Sequence, residues 1–157
     1  MILQNTNCWG EIMDLEINRR FYSIWAIANS LYTRFANKLG VSYPELMVLY
    51  ALFTMKEITQ KEISDSFGLP KQTVNSVIRG LKEKNYVMSK VCENDKRERA
   101  LTLNEQGNEY ASKIISPVLK AETQVYNIIG KERLIQANET MKLFNILFEK
   151  LIDDGEI

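Results

Sequence analysis

The sequence predicts a mainly α-helical chain with one small β-hairpin, on three observations. Apolar residues recur at three- and four-residue intervals along most of its length, the period of an amphipathic helix. Caps and stops interrupt that pattern often, so the helices are several and separate. One stretch, residues 86–103, changes to strand-like composition around a charged turn. At 157 residues this is one compact domain, or one fold with an appended dimer arm. Such a length buries about two thirds of the surface of the unfolded chain, so neither a disulfide nor a metal is needed for stability.

A first helix is expected over residues 11–39, with Leu15, Phe21, Ile24, Trp25, Ala28, Leu31, Tyr32, Phe35 and Leu39 on its apolar stripe and Gly40 as its stop. Ser42-Tyr43-Pro44-Glu45 reads as a capping box with proline in the first turn, opening a helix through Leu46, Leu49, Tyr50 and Phe53. Thr59-Gln60-Lys61-Glu62 is a second capping box, and its short helix ends at Gly68. The next helix, residues 71–84, turns Val74, Val77, Ile78 and Leu81 inward and ends at Asn85, which tolerates a left-handed conformation.

Residues 86–92 and 100–103 make the two strands of a hairpin around the charged tip 93–98, the second alternating as a half-buried strand does. Asn104 caps a long helix carrying Tyr110, Ala111, Ile114, Ile115, Val118 and Leu119, which Pro117 should kink. After Gly130 a last helix, residues 131–153, has Leu143, Phe144, Ile146, Leu147, Phe148, Leu151 and Ile152 on more than one face. Two apolar sides need two covers, one from its own domain and one from a second copy of the chain.

Composition excludes much chemistry. With no histidine there is no Ser-His-Asp or Cys-His catalysis and no His-Glu-x-x-His zinc site. Cys8 and Cys92 are too few for a four-thiolate site and match ordinary usage in a reducing cytosol. No metal or other cofactor is expected. No apolar run approaches the 18 or so residues of a membrane span, and residues 1–7 carry no basic start or apolar core of an export signal, so a cytoplasmic protein is expected.

The charge is zero overall, with 20 basic and 20 acidic residues, but residues 70–99 hold eight bases against four acids. A local +4 in a chain that is otherwise −4 suits contact with a polyanion.

The same region carries the strongest local signal. Counting Gln60 as the first place of a helix-turn-helix, Ile63 falls fourth, Ser64 fifth, Phe67 eighth, Gly68 ninth, Leu69 tenth, Val74 fifteenth and Val77 eighteenth. The apolar places pack two steeply crossing helices, the fifth must be small where they pass closely, and the ninth needs a positive φ in the tight turn. On the outward side of the second helix stand Lys71, Gln72, Thr73, Asn75, Ser76 and Arg79, with no acid among them. These types suit a major groove. Gln and Asn pair with adenine, Arg pairs with guanine, and hydroxyls and the helix N-terminus meet phosphate.

In the hairpin, Lys90, Lys96, Arg97 and Arg99 form a basic wing that can reach the adjacent minor groove, and Asp95 can orient Arg97 through a carboxylate–guanidinium pair. The expected architecture is a winged helix-turn-helix, and the family resemblance that these residues carry implies N- and C-terminal dimerisation helices.

Those residues resemble the MarR family of regulators along essentially the whole chain. Leu81-Lys82-Glu83-Lys84-Asn85-Tyr86-Val87, Asp95-Lys96-Arg97 and Leu103-Asn104-Glu105-Gln106-Gly107 are similar to the family's Leu-Glu-x-Lys-Gly-Leu-Ile, Asp-x-Arg and Leu-Thr-x-x-Gly runs, at the family's spacing. Asn85 stands for the usual glycine, Asn104 for threonine, and Ser89 for an arginine, with Lys90 as a partial replacement. The resemblance implies residues 1–40 and 104–157 as dimerisation segments around a DNA-binding lobe, 41–103. It also implies a homodimeric repressor on a pseudo-palindromic operator in double-stranded DNA, released by a small aromatic effector.

Phe21, Tyr22, Trp25, Tyr32, Met47 and Tyr50 are the candidates for lining the effector pocket. Some members sense peroxides through a first-helix cysteine, but Asn18 stands at that position. A thiol-based redox-responsive regulator using Cys8 or Cys92 therefore ranks below, as does a winged-helix protein-interaction module. An enzyme has no supporting constellation.

Overall fold

The computed structural model describes residues 15–91 and 98–155. In order these form α1 (Leu15–Lys38), α2 (Tyr43–Met55), β1 (Ile58–Thr59), α3 (Gln60–Phe67), α4 (Lys71–Glu83), β2 (Val87–Val91), β3 (Arg99–Leu103), α5 (Glu105–Ile129) and α6 (Lys131–Asp153). The chain divides into two compact units, Met1–Ala111 and Ser112–Ile157, with the division inside α5. Residues 11–14, the expected start of the first helix, lie outside the described residues.

The caps act as the sequence implies, with one difference. At α3 both arms of the box form: the Glu62 N–H donates to Thr59 Oγ1 at 3.2 Å and the Thr59 N–H to Glu62 Oε2 at 2.7 Å. That backbone donor holds the Glu62 carboxyl below its usual value. At α2 the Glu45 N–H donates to Ser42 Oγ at 3.2 Å, but the Glu45 carboxylate that was expected to close the box accepts the Tyr110 hydroxyl at 2.9 Å. A local cap has become a tertiary link, because α5 brings a stronger donor within reach.

The first unit is built around α2, where Leu46, Met47, Val48, Leu49, Ala51 and Leu52 are all buried. Burial on nearly every side marks a central helix rather than the single stripe the spacing suggested, and Tyr50 and Phe53 are only half-buried. Ile63 of α3, Val74, Ile78 and Leu81 of α4 and Leu101 of β3 complete that core. Ala36 is the buried residue of α1.

The expected two-stranded hairpin is a three-stranded antiparallel sheet of order β1-β3-β2, with Ile58 opposite Leu101 and Ser89 also opposite Leu101 on the other edge. β1 escapes a strand search because it has two residues, and one of them, Thr59, is also the α3 N-cap. An N-cap is extended by nature, so the two roles are compatible. As the central strand, β3 buries Ala100, Leu101 and Leu103 rather than alternating as a half-buried strand would.

Tight packing secures the point where α5 begins. Asn85 adopts φ 57° after α4. Asn104 uses both ends of its amide there: Oδ1 accepts the Gly107 N–H at 2.8 Å, capping α5, while Nδ2 donates to the Asn85 carbonyl at 2.6 Å. A threonine, with one hydroxyl, could not reach both. The Tyr86 and Tyr110 rings stack at 4.8 Å, and Lys84 Nζ lies 5.7 Å from the Tyr110 centroid.

Burial, reinforced by the hydrogen bond to Glu45, pushes the Tyr110 hydroxyl up to about 12. A tyrosine that ionises near 10 when unfolded and near 12 when folded contributes stability below pH 10 and loses it between 10 and 12. Urea unfolding across that range should therefore show a falling limb that Tyr110→Phe makes shallower. Equal slopes in the two proteins would refute the assignment.

In the second unit α5 continues as helix through Pro117, and no residue of α6 is buried. Leu143, Phe144, Ile146, Leu147, Phe148, Leu151 and Ile152 are all exposed, with the Phe144 and Phe148 rings stacked at 5.5 Å. Leu134 and Met141, half-buried, are the least exposed of its apolar residues.

Candidate nucleic-acid interface

The helix-turn-helix forms from α3 and α4 for the reasons the spacing gives. Ile63 and Val74 are fully buried between the helices, and Gly68 takes φ 59° in the turn. Ser64, at the place where alanine is usual, is buried and donates its hydroxyl to the Leu69 carbonyl at 2.6 Å. The hydroxyl satisfies itself on the turn it must accommodate, which explains why a polar residue is tolerated there.

Helical spacing then fixes what α4 presents outward. Gln72, Asn75, Ser76 and Arg79, at i, i+3, i+4 and i+7, are exposed on one face; Lys71 is exposed beside it and Thr73 is half-buried. Glu83 extends the same face one turn on, and its carboxylate lies 4.0 Å from Arg79 Nε, at the outer limit of an ion pair and open to solvent. The sequence reading missed this acid as a partner of Arg79, though its i+4 spacing could have shown it. α4 starts after Pro70 with no side-chain cap and no acid in its first turn, so its positive end is uncompensated.

Beyond α4 the predicted residues part. Lys90 sits on β2 with Nζ 2.9 Å from Glu57 Oε2, so its charge is balanced locally. Arg99 opens β3 and is exposed. Asp95, Lys96 and Arg97 lie outside the described residues, as do Cys8 and Cys92. Between α4, the start of α3 and β3 lies a cavity of about 400 Å³ lined by Lys61, Lys71, Lys82, Glu98, Arg99 and Leu101, among others. Lys61 and Lys82 were not singled out from sequence. Lys82 is eleven residues from Lys71, three helical turns, and so shares its stripe; Lys61 joins them only through the β1–β3 pairing.

The effector-pocket candidates divide between α1 and α2. Tyr22 and Trp25 are 69% and 56% exposed, Phe21, Tyr32 and Tyr50 are half-buried, and Met47 belongs to the core. Tyr50 meets Phe67 edge-on, with ring centroids 6.2 Å apart. Among the described residues no His/Cys/Asp/Glu group could hold a metal ion, and no helix is long and apolar enough to cross a membrane.

The family model described as MarR family matches residues 39–98, from the end of the first helix to the start of β3. The transcriptional regulator SarZ of Staphylococcus epidermidis is 22% identical over 122 residues, which are 78% of this chain and 82% of that protein. NMB1585, a MarR family regulator from Neisseria meningitidis, has the same fold at a TM-score of 0.79, with 26% identity over 91% of this chain and 99% of its own. NadR, solved in complex with 4-hydroxyphenylacetate, superposes at a TM-score of 0.68 with 11% identity, covering 85% of this chain and 94% of its own. Residues 39–98, which contain the helix-turn-helix, thus match the MarR family model, and the fold along nearly the whole chain is similar to that of a MarR family winged helix-turn-helix regulator.

Proposed function

We propose that the chain acts as a homodimeric, cytoplasmic repressor that binds a pseudo-palindromic operator and is released by a small aromatic acid. The observation that carries this reading is the acid-free N-terminal half of α4, where Gln72, Asn75, Ser76 and Arg79 stand exposed on one face. Gln72 and Asn75 offer amides to adenine and Arg79 a guanidinium to guanine, while Lys71 and the uncapped helix end meet phosphate. Lys96 and Arg97, with Asp95 orienting Arg97, are assigned to the adjacent minor groove on their residue chemistry alone.

The bare apolar faces of α6 support the dimer, since a helix with no buried residue and seven exposed large apolar side chains between Leu143 and Ile152 needs a cover. Two identical helices about 34 Å apart match successive major grooves. For the effector, NadR was solved with an aromatic acid. In this chain Tyr22 and Trp25 present open aromatic surface on α1, which a second protomer can close into a pocket. An acid that prefers a dimer of different helix spacing releases DNA by its differential affinity, and by no more.

Arg79→Ala tests the reading surface. It should cost about 1–3 kcal/mol and relax preference at one base position, seen in gel shifts against a panel of point-changed operators. An unchanged preference across that panel would remove α4 from the reading role.

A further inference from the structure

We propose that the cavity between α4 and β3 is the seat of one sugar-phosphate strand of the duplex, with Lys61 and Lys82 as phosphate-positioning residues. The inference rests on the reading of α4 as the major-groove helix and deepens it. If α4 occupies a major groove and Arg99 at the start of β3 faces the neighbouring minor groove, the strand that separates those grooves must pass between α4 and β3. That is where the cavity of about 400 Å³ lies.

Its charge suits that passenger. Lys61 comes from the first turn of α3, Lys71 and Lys82 from one stripe of α4, and Arg99 from the start of β3. All four are exposed, and none forms an ion pair with a described acid. Lys71 and Lys82 stand about 16 Å apart along the helix axis, at 1.5 Å per residue. A row of that length follows a backbone over several phosphates rather than gripping one small anion. Leu101, fully buried, closes the floor. Glu98, half-buried on the lining, is the one acid there and opposes the four cations. Its carboxylate limits affinity for any duplex.

Phosphate contacts position and do not specify, so these residues should act on all sequences alike. The test is fluorescence-anisotropy titration of the purified full chain against its selected operator and a scrambled duplex, at several salt concentrations. Lys61→Gln/Lys82→Gln should weaken both duplexes by the same factor, about tenfold or more at moderate salt, and flatten the log–log salt dependence by about 3–4 for four charges removed per dimer. Glu98→Gln should tighten both duplexes, a gain that misfolding cannot produce.

An unchanged salt slope in the double variant, with Arg79→Ala still relaxing preference at one base position, would overturn the strand seat and leave the reading helix intact. Wild-type protein indifferent to both duplexes would overturn both.

Discussion

Leu147→Glu in α6 is expected to convert the proposed homodimer to a monomer and to abolish operator binding. Leu147 is 53% exposed in the protomer, inside an apolar surface that includes Leu143, Phe144, Ile146, Phe148, Leu151 and Ile152. Each such side chain gains about 1.5–3 kcal/mol when fully buried. In a two-fold interface every residue counts twice, so one substitution places two carboxylates in the seam. Removing an unpaired charge from water costs several kcal/mol, enough to shift dimerisation by about a thousandfold or more.

The fold of each protomer should survive, because the position is already solvated. Sedimentation velocity at micromolar concentration, with circular dichroism as the folding control, reads the outcome. A variant that remains dimeric would move the interface away from α6.

Gly107→Ala should be the most damaging small substitution in the winged lobe. Gly107 needs no unusual φ; its constraint is space. A Cβ there would lie 2.1 Å from the Tyr86 carbonyl oxygen and 2.9 Å from its carbon, and backbone cannot swing aside as a side chain can. That same carbonyl accepts the Asn104 N–H at 3.1 Å, and Asn104 caps α5 while holding the Asn85 turn. Moving Tyr86 therefore disturbs the cap, the turn and the Tyr86–Tyr110 stack together. A loss of about 3 kcal/mol is expected, at the upper end of overpacking costs, where a Gly→Ala change with room for the Cβ would instead gain about 0.4–1 kcal/mol. Denaturant unfolding measures it. Stability within about 0.5 kcal/mol of wild type would show that α5 can shift freely at this point.

Most of this architecture was legible because it is locally encoded. The α3 capping box, the Gly68 turn, the Asn85 stop and the outward face of α4 each depend on residues within a few positions of one another, so spacing alone places them. What spacing could not show depends on distant partners. β1 exists only because β3 lies beside it, and Glu45 leaves its own cap because Tyr110 arrives from 65 residues away. The positive φ of 62° at Lys56, in the tight turn where the Glu57 N–H meets the Met55 carbonyl at 2.7 Å, has no local signature either, since lysine is not a residue that favours it.

The same division holds at the interface. Gln72, Asn75, Ser76 and Arg79 followed from helical periodicity, whereas Lys61 met Lys71, Lys82 and Arg99 only once the sheet had closed. Thr73 was placed on the reading face by residue type, but the helix turns it half inward.

The most direct test of paired reading helices is sequencing of duplexes enriched from a random pool by the purified chain. The expected result is two inverted half-sites with centres about one helical turn, roughly 10 base pairs, apart. Recovery of a lone half-site, or of no common sequence at all, would contradict it.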